Sequence, residues 1–198
     1  MKFVVLCSGN GTNFENILRT VHRHEVVLMI HNKEKCGAVK RAAKFGVPHI
    51  HIPHDNEDLM IRTIRAFHPD LIVLAGYMRI LSSRFVGSFD RIINVHPSLL
   101  PKYKGLNTHE KVINNGDEIH GCSTHFVTCN IDEGPIIAQY RLPVDENDTA
   151  FSISKKLLPL EHKLYYETLK MIEEKRVYLR DNKVIFDGKF LNEPIMFN

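Results

Sequence analysis

Short apolar runs alternate with segments of helical spacing through the first half of this chain, and few folds accommodate that order. Lys2 to Cys7 reads as a buried parallel strand, and Asn13 to His24 places Phe14, Ile17, Leu18 and Val21 on one helical face. Glu25 to His31 is strand-like, and Lys35 to Phe45 is helical with Gly46 as its stop. His49 to Ile52 is a short strand, and Asp55 to Phe67 a further helix ended by Pro69. Leu71 to Ala75 and Ile92 to Val95 complete the series. Strands separated by helices pair in parallel through crossovers. The order therefore predicts an α/β fold, a Rossmann-like, mostly parallel twisted sheet with helices on both faces.

After residue 117 the pattern changes. His120 to Cys129 and Ile136 to Val144 are strand candidates joined by the turn-forming Asn130-Ile131-Asp132-Glu133-Gly134-Pro135, which predicts an antiparallel extension of the sheet. Asp148 to Lys175 reads as one long helix capped by Asp148 or Thr149, with Pro159 either kinking it or marking its true start. Val177 to Phe190 reads as a terminal hairpin around Asp181-Asn182. A chain of 198 residues, 43% hydrophobic and 25% charged, supports one substantial core, so residues 1–198 are expected to form a single domain.

The formal net charge of +3 is mild and its Lys and Arg residues are scattered, which does not call for a nucleic-acid groove but suits an anionic small substrate. Cys7, Cys36, Cys122 and Cys129 show no CxxC spacing and are expected to be buried thiols in a reducing cytoplasm. The amino terminus is an apolar strand reaching a glycine turn rather than a signal peptide, and no apolar run approaches a membrane span. The expectation is a cytoplasmic monomer or weak homodimer with neither nucleic acid nor membrane as partner.

Two constellations carry chemistry. Ser8-Gly9-Asn10-Gly11-Thr12-Asn13 links a buried strand to a helix; glycines let backbone N–H groups approach an anion, and the helix N-terminus adds partial positive charge. A phosphate is the natural guest, although the loop is neither the dinucleotide fingerprint nor the lysine-bearing triphosphate loop, and a tight capped turn is the plainer alternative. In Arg91-Ile92-Ile93-Asn94-Val95-His96-Pro97-Ser98-Leu99-Leu100-Pro101, Asn94 and His96 share one strand face, and Pro97 ends the ladder at the strand's carboxyl end. A carboxamide N–H stabilises an oxyanion and an imidazole moves a proton, a pairing suited to attack at a carbonyl carbon.

Asp132, in the turn, and His125, on the preceding strand, are supporting candidates. A carboxylate close to His96 would orient the ring and collect a proton, whereas turn aspartates are usually only turn formers. His49, His51 and His54 lack a companion Cys or paired carboxylate, so no metal site is expected, and His22 and His24 suit a helix end. Without a Gly-x-Ser-x-Gly elbow or a cysteine in a nucleophile setting, covalent catalysis is not expected.

Taken in order, the glycine loop, Asn94 to Pro101, and Thr124-His125-Phe126-Val127 to Pro135 resemble the folate-dependent formyltransferases. The resemblance extends to Asn32-Lys33, Pro69-Asp70, Ala75 to Leu81, Gly116-Asp117 and Glu161-His162, and is most similar to the branch acting on glycinamide ribonucleotide in purine synthesis. It implies that Asn10, Gly11, Thr12 and Asn13 hold the substrate's ribose 5-phosphate, with Glu161 also near the ribonucleotide. It implies that Tyr77, Met78, Arg79, Ile80 and Leu81, with Asn130, Ile131, Glu133 and Gly134, bind 10-formyltetrahydrofolate, the formyl-donor co-substrate. Asn94, His96 and Asp132 match the catalytic trio, His125 supports them, and no metal is required. On this reading the phosphate-binding half covers about 1–95 and the folate-binding and catalytic half about 76–198.

The chain departs from the family pattern at Asp55-Asn56-Glu57-Asp58, where an arginine is usual and Arg62 or Arg65 are the nearby substitutes. Further departures are His31, Lys104, Asn107 and Leu158-Pro159. Three other functions compete: formylation of initiator tRNA or nucleotide sugars, hydrolysis of the formyl folate, and a non-catalytic nucleotide-binding module. Enzymes of the first kind generally add a C-terminal domain and the hydrolases an N-terminal one, neither of which is expected here.

Overall fold

The computed structural model describes residues 1–20 and 24–197. They form two compact units, Met1–Asn94 and Val95–Asn198. In the first, strands and helices alternate as β1 (Lys2–Cys7), α1 (Thr12–Thr20), β2 (Glu25–His31), α2 (Ala38–Phe45), β3 (His49–His51), α3 (Glu57–Ala66), β4 (Leu71–Leu74) and α4 (Ser83–Val86), entering β5 (Ile92–His96). The strand order is β5-β4-β1-β2-β3, every pair parallel. Phe3 to Cys7 of β1 and all of β4 are buried, which explains their continuous apolar sequences.

Successive strands first move outward from β1 through β2 to β3, then return to its other side as β4 and β5. The reversal lies between β1 and β4, and the crevice beyond the carboxyl ends of such strands is where open α/β sheets hold ligands. Ser8–Asn13 and Ala75–Leu81 leave those two ends.

Helix ends follow local chemistry. Asn56 Oδ1 accepts from Leu59 N at 3.2 Å to cap α3, and Gly46 closes α2 with φ 67°. Helix α2 starts at Ala38 rather than Lys35, with Gly37 as its N-cap, and a Cβ on Gly37 would approach Asn10 Cα to 3.0 Å. Val21 and His22, assigned by spacing to the end of α1, lie outside the described residues. His24 stacks on Phe3 with ring centroids 4.3 Å apart.

The second unit contains α5 (Thr108–Asn114), β6 (Ile119–Phe126), β7 (Ile136–Pro143), α6 (Ala150–Glu173), β8 (Val177–Arg180), β9 (Lys183–Phe186), β10 (Lys189–Phe190) and β11 (Ile195–Phe197). Its main strand order is β11-β7-β6-β5, in which β6 and β7 are antiparallel and β11 runs parallel to β7. A second sheet, β10-β9-β8, is antiparallel and turns at Asp181 and Asn182, both left-handed with φ 51° and 56°. Leucine and isoleucine side chains of α6 enter the core, and Thr168 Oγ1 lies 2.8 Å from Thr124 Oγ1 of β6.

Thr149, not Asp148, is the N-cap of α6 and forms a capping box with Ser152. Pro159 lies within this helix, so it does not mark the start. Cys7, Cys36 and Cys122 are buried as expected, but Cys129 is exposed because β6 ends at Phe126 and the chain has entered the turn before it reaches the thiol. Among the described residues no helix is long and apolar enough to cross a membrane.

Candidate active site

The loop after β1 is braced from behind. Cys36 Sγ donates to Gly9 O at 3.2 Å, Ala38 N to the same carbonyl at 3.2 Å, and Arg41 Nε to Asn10 O at 2.7 Å. Arg41 also pairs with Glu15 of α1. Gly11 has φ 72°, and a Cβ there would stand 2.6 Å from Ala38 Cβ, so this position needs glycine both for conformation and for space. With two carbonyls held by α2 and its approach, the N-terminus of α1 at Thr12 and Asn13 is the part of the loop chemically suited to an anion.

The loop after β4 meets the same turn. Ser8 N donates to Gly76 O at 3.1 Å, and Ser8 Oγ accepts from Met78 N at 2.9 Å. Tyr77 and Leu81 turn inward, whereas Met78 and Ile80 are 60% and 64% exposed and flank the exposed Arg79. Exposed apolar side chains beside a ligand crevice form a ready contact for a flat apolar guest. The Tyr77 hydroxyl lies 3.2 Å from His54 Nδ1; burial, followed by the charge of Glu57, pushes its pKa up.

In the second unit, β5 ends at His96, which is 5% exposed, two residues after Asn94 on the same strand face. His96 Nε2 is 2.9 Å from Tyr103 O, and Nδ1 is 3.4 Å from Asp132 Oδ2. Because the carbonyl can only accept, Nε2 carries a hydrogen, and Nδ1 is left facing the carboxylate. Asp132 has φ 51°, and its Oδ2 also accepts from Gly105 N at 2.8 Å, while its Oδ1 faces His125 Nε2 at 3.6 Å. His125 Nδ1 donates to Phe126 O at 2.9 Å; burial lowers the pKa of this ring, opposed by that carbonyl and by Asp132 and reinforced by His96.

The turn that carries Asp132 is pinned by its neighbours. Glu133 accepts from Lys104 Nζ at 2.7 Å and from Asn130 Nδ2 at 3.0 Å. A Cβ on Gly134 would overlap the Phe126 carbonyl. Asn130 and Ile131 are exposed. Glu161 projects from α6, and its charge adds to burial in raising the pKa of Cys122. His109 and His120 form a second imidazole pair, Nδ1 to Nε2 at 2.9 Å, of which His120 is buried.

Residues 1–169 match the family described as Formyl transferase. The chain belongs to the formyl transferase family. It is 37% identical over 205 residues to phosphoribosylglycinamide formyltransferase of Escherichia coli (strain K12), with 96% of each chain covered. The enzyme of that name from Haemophilus influenzae is 35% identical over 202 residues, covering 96% of this chain and 95% of its own. The solved structure of the Coxiella burnetii phosphoribosylglycinamide formyltransferase superposes with a TM-score of 0.94 at 39% identity, covering 100% of this chain and 99% of that one.

Within this formyl transferase the structure brings His96, His125 and Asp132 into one group, with Asn94 on the His96 strand face. Spacing did not reveal Tyr103 or Gly105, whose backbone atoms contact His96 and Asp132, or Arg41, which holds the Asn10 carbonyl. The two backbone contacts leave no mark on residue type. Arg41 looks like an ordinary polar position of a surface helix. His31 stacks on His51 at 5.3 Å and lies 5.7 Å from His49, while His54 turns to Tyr77 instead.

Proposed function

We infer that this chain is a phosphoribosylglycinamide formyltransferase: it transfers the formyl group of 10-formyltetrahydrofolate to the amine of 5-phosphoribosylglycinamide, giving formylglycinamide ribonucleotide and tetrahydrofolate in de novo purine biosynthesis. The observation that carries this reading is 37% identity over 96% of both chains to an enzyme of that name. It agrees with the donor set of the His96 group, which suits attack at a carbonyl carbon.

The amine lone pair attacks the formyl carbon, a C–N bond forms, and the carbonyl oxygen becomes an oxyanion. Asn94 and the Nε2–H of His96 donate to that oxygen, where one well-placed donor lowers a barrier by about 3 kcal/mol. Asp132 receives the ammonium proton, directly or through water, and a proton passes to the folate nitrogen as its bond to carbon breaks. Asn10, Gly11, Thr12 and Asn13 hold the ribose 5-phosphate and Glu161 the ribonucleotide. Tyr77 to Leu81, Asn130, Ile131, Glu133 and Gly134 hold the folate, with Met78 and Ile80 supplying exposed apolar contact. His125 supports Asp132 from its second oxygen.

Residues 1–198 act as one formyl-transferring domain, with phosphate-binding residues within about 1–95 and folate-binding and catalytic residues within about 76–198. The enzyme works in the cytoplasm on dissolved small molecules, as a monomer or weak homodimer, and requires no metal. His96→Ala and Asp132→Asn are expected to lower kcat at least about a hundredfold, while the dissociation constant for ribose 5-phosphate changes less than about threefold. Steady-state kinetics and calorimetric titration check this, and unchanged turnover in both variants would remove the mechanism.

A further inference from the structure

We propose that Tyr103 and Asp117 are positioning residues for His96, and that they act by fixing the carbonyl that selects its tautomer. The proposal rests on reading His96 as the residue of formyl transfer. Tyr103 has φ 56°, a left-handed backbone that a bulky aromatic residue keeps only when its surroundings hold it. In this conformation its carbonyl oxygen stands 2.9 Å from His96 Nε2.

The holding contacts all come from its own unit. The Tyr103 hydroxyl donates to Asp117 Oδ2 at 2.7 Å and accepts from Asn115 Nδ2 at 2.7 Å. Lys102 Nζ donates to the same Asp117 oxygen at 2.7 Å, and the Lys102 carbonyl accepts from Ser98 Oγ at 2.6 Å. The Lys102 ammonium, and then the Tyr103 hydroxyl, hold the Asp117 carboxyl below the usual carboxylate range, so it stays an ionised acceptor. Gly105, two residues beyond Tyr103, donates to Asp132 Oδ2, the oxygen facing His96 Nδ1. Residues 103–105 thus set the partner on each side of the imidazole. Asp117 anchors that stretch through the Tyr103 phenol.

If the anchor is lost, Tyr103 can leave the left-handed region, its carbonyl withdraws, and the neutral ring is free to carry its hydrogen on Nδ1. That tautomer has no hydrogen on Nε2 to donate to the oxyanion. Tyr103→Phe and Asp117→Ala are each expected to lower kcat about tenfold or more, with KM for both substrates within about twofold, because orientation is lost and binding is not. Asp117→Asn keeps an oxygen for the phenol and should recover most of kcat.

The direct readout is the nitrogen-15 spectrum of histidine-labelled protein at a pH where His96 is neutral. The wild type should show hydrogen on Nε2 alone, and Tyr103→Phe and Asp117→Ala a mixture of tautomers. An unchanged His96 tautomer in both variants overturns the proposal, whether or not kcat falls, and so does Asp117→Asn with the full defect of Asp117→Ala. If the tautomer shifts but the wild type transfers no formyl group, the positioning stands and the functional reading fails.

Discussion

Asp132 shows how much a single residue can hide. Its sequence setting reads as a turn former, and its φ of 51° agrees with that, yet its two oxygens face His96, His125 and the amide of Gly105. The sequence offers His96 and His125 as companions of this carboxylate, but not Gly105, which is 27 residues away. Gly11 is the opposite case: its role is legible as a glycine between strand and helix, and the structure adds the reason no other residue fits. Gly11→Ala would force a Cβ to 2.6 Å from Ala38 Cβ at φ 72°. We expect the variant to lose more than about 1 kcal/mol of stability by urea denaturation and to bind ribose 5-phosphate at least about tenfold more weakly. Wild-type values for both would show that the loop tolerates the change.

At the scale of elements, the apolar runs of β1, β2, β4 and β5 were legible because both faces of a parallel sheet are buried and little alternation interrupts them. Helix α4, helix α5 and strand β11 were not, because 4, 7 and 3 residues carry too few periods to register. Helix α5 and strand β6 also carry the His109–His120 pair, whose pH dependence follows from burial. Burial, and then His109, lower the His120 pKa from 6.5 to about 4, against Asp117, which favours its charged form. A base whose pKa falls on folding contributes stability in its neutral form. That contribution is complete above the unfolded value near 6.5 and is lost as pH falls toward about 4. It amounts to at most about 3 kcal/mol. His31, His109 and His125 shift in the same direction and add to the slope. Denaturation midpoints should therefore fall from pH 7 to pH 4, and His120→Gln should flatten part of that fall; an equal slope in the variant would contradict the assignment.

For the whole molecule, the strand order and the family agree on α/β architecture, and both were readable from the alternation of elements and the order of motifs. The sequence offered the Asp132 carboxylate as a partner for His96; what it could not supply was the backbone that holds the two, the Tyr103 carbonyl on His96 and the Gly105 amide on Asp132. Those contacts depend on left-handed backbone at Tyr103 and Asp132, two residue types that do not require it. The central claim is that this group moves a formyl unit from a folate to the amine of a ribonucleotide. Incubation of the purified chain with 10-formyltetrahydrofolate carrying a carbon-13 formyl group, with and without 5-phosphoribosylglycinamide, tests it most directly. The account predicts that the label appears as an amide on the glycinamide nitrogen, in step with tetrahydrofolate, and only when the ribonucleotide is present. Label recovered as free formate at the same rate with or without the ribonucleotide would contradict it.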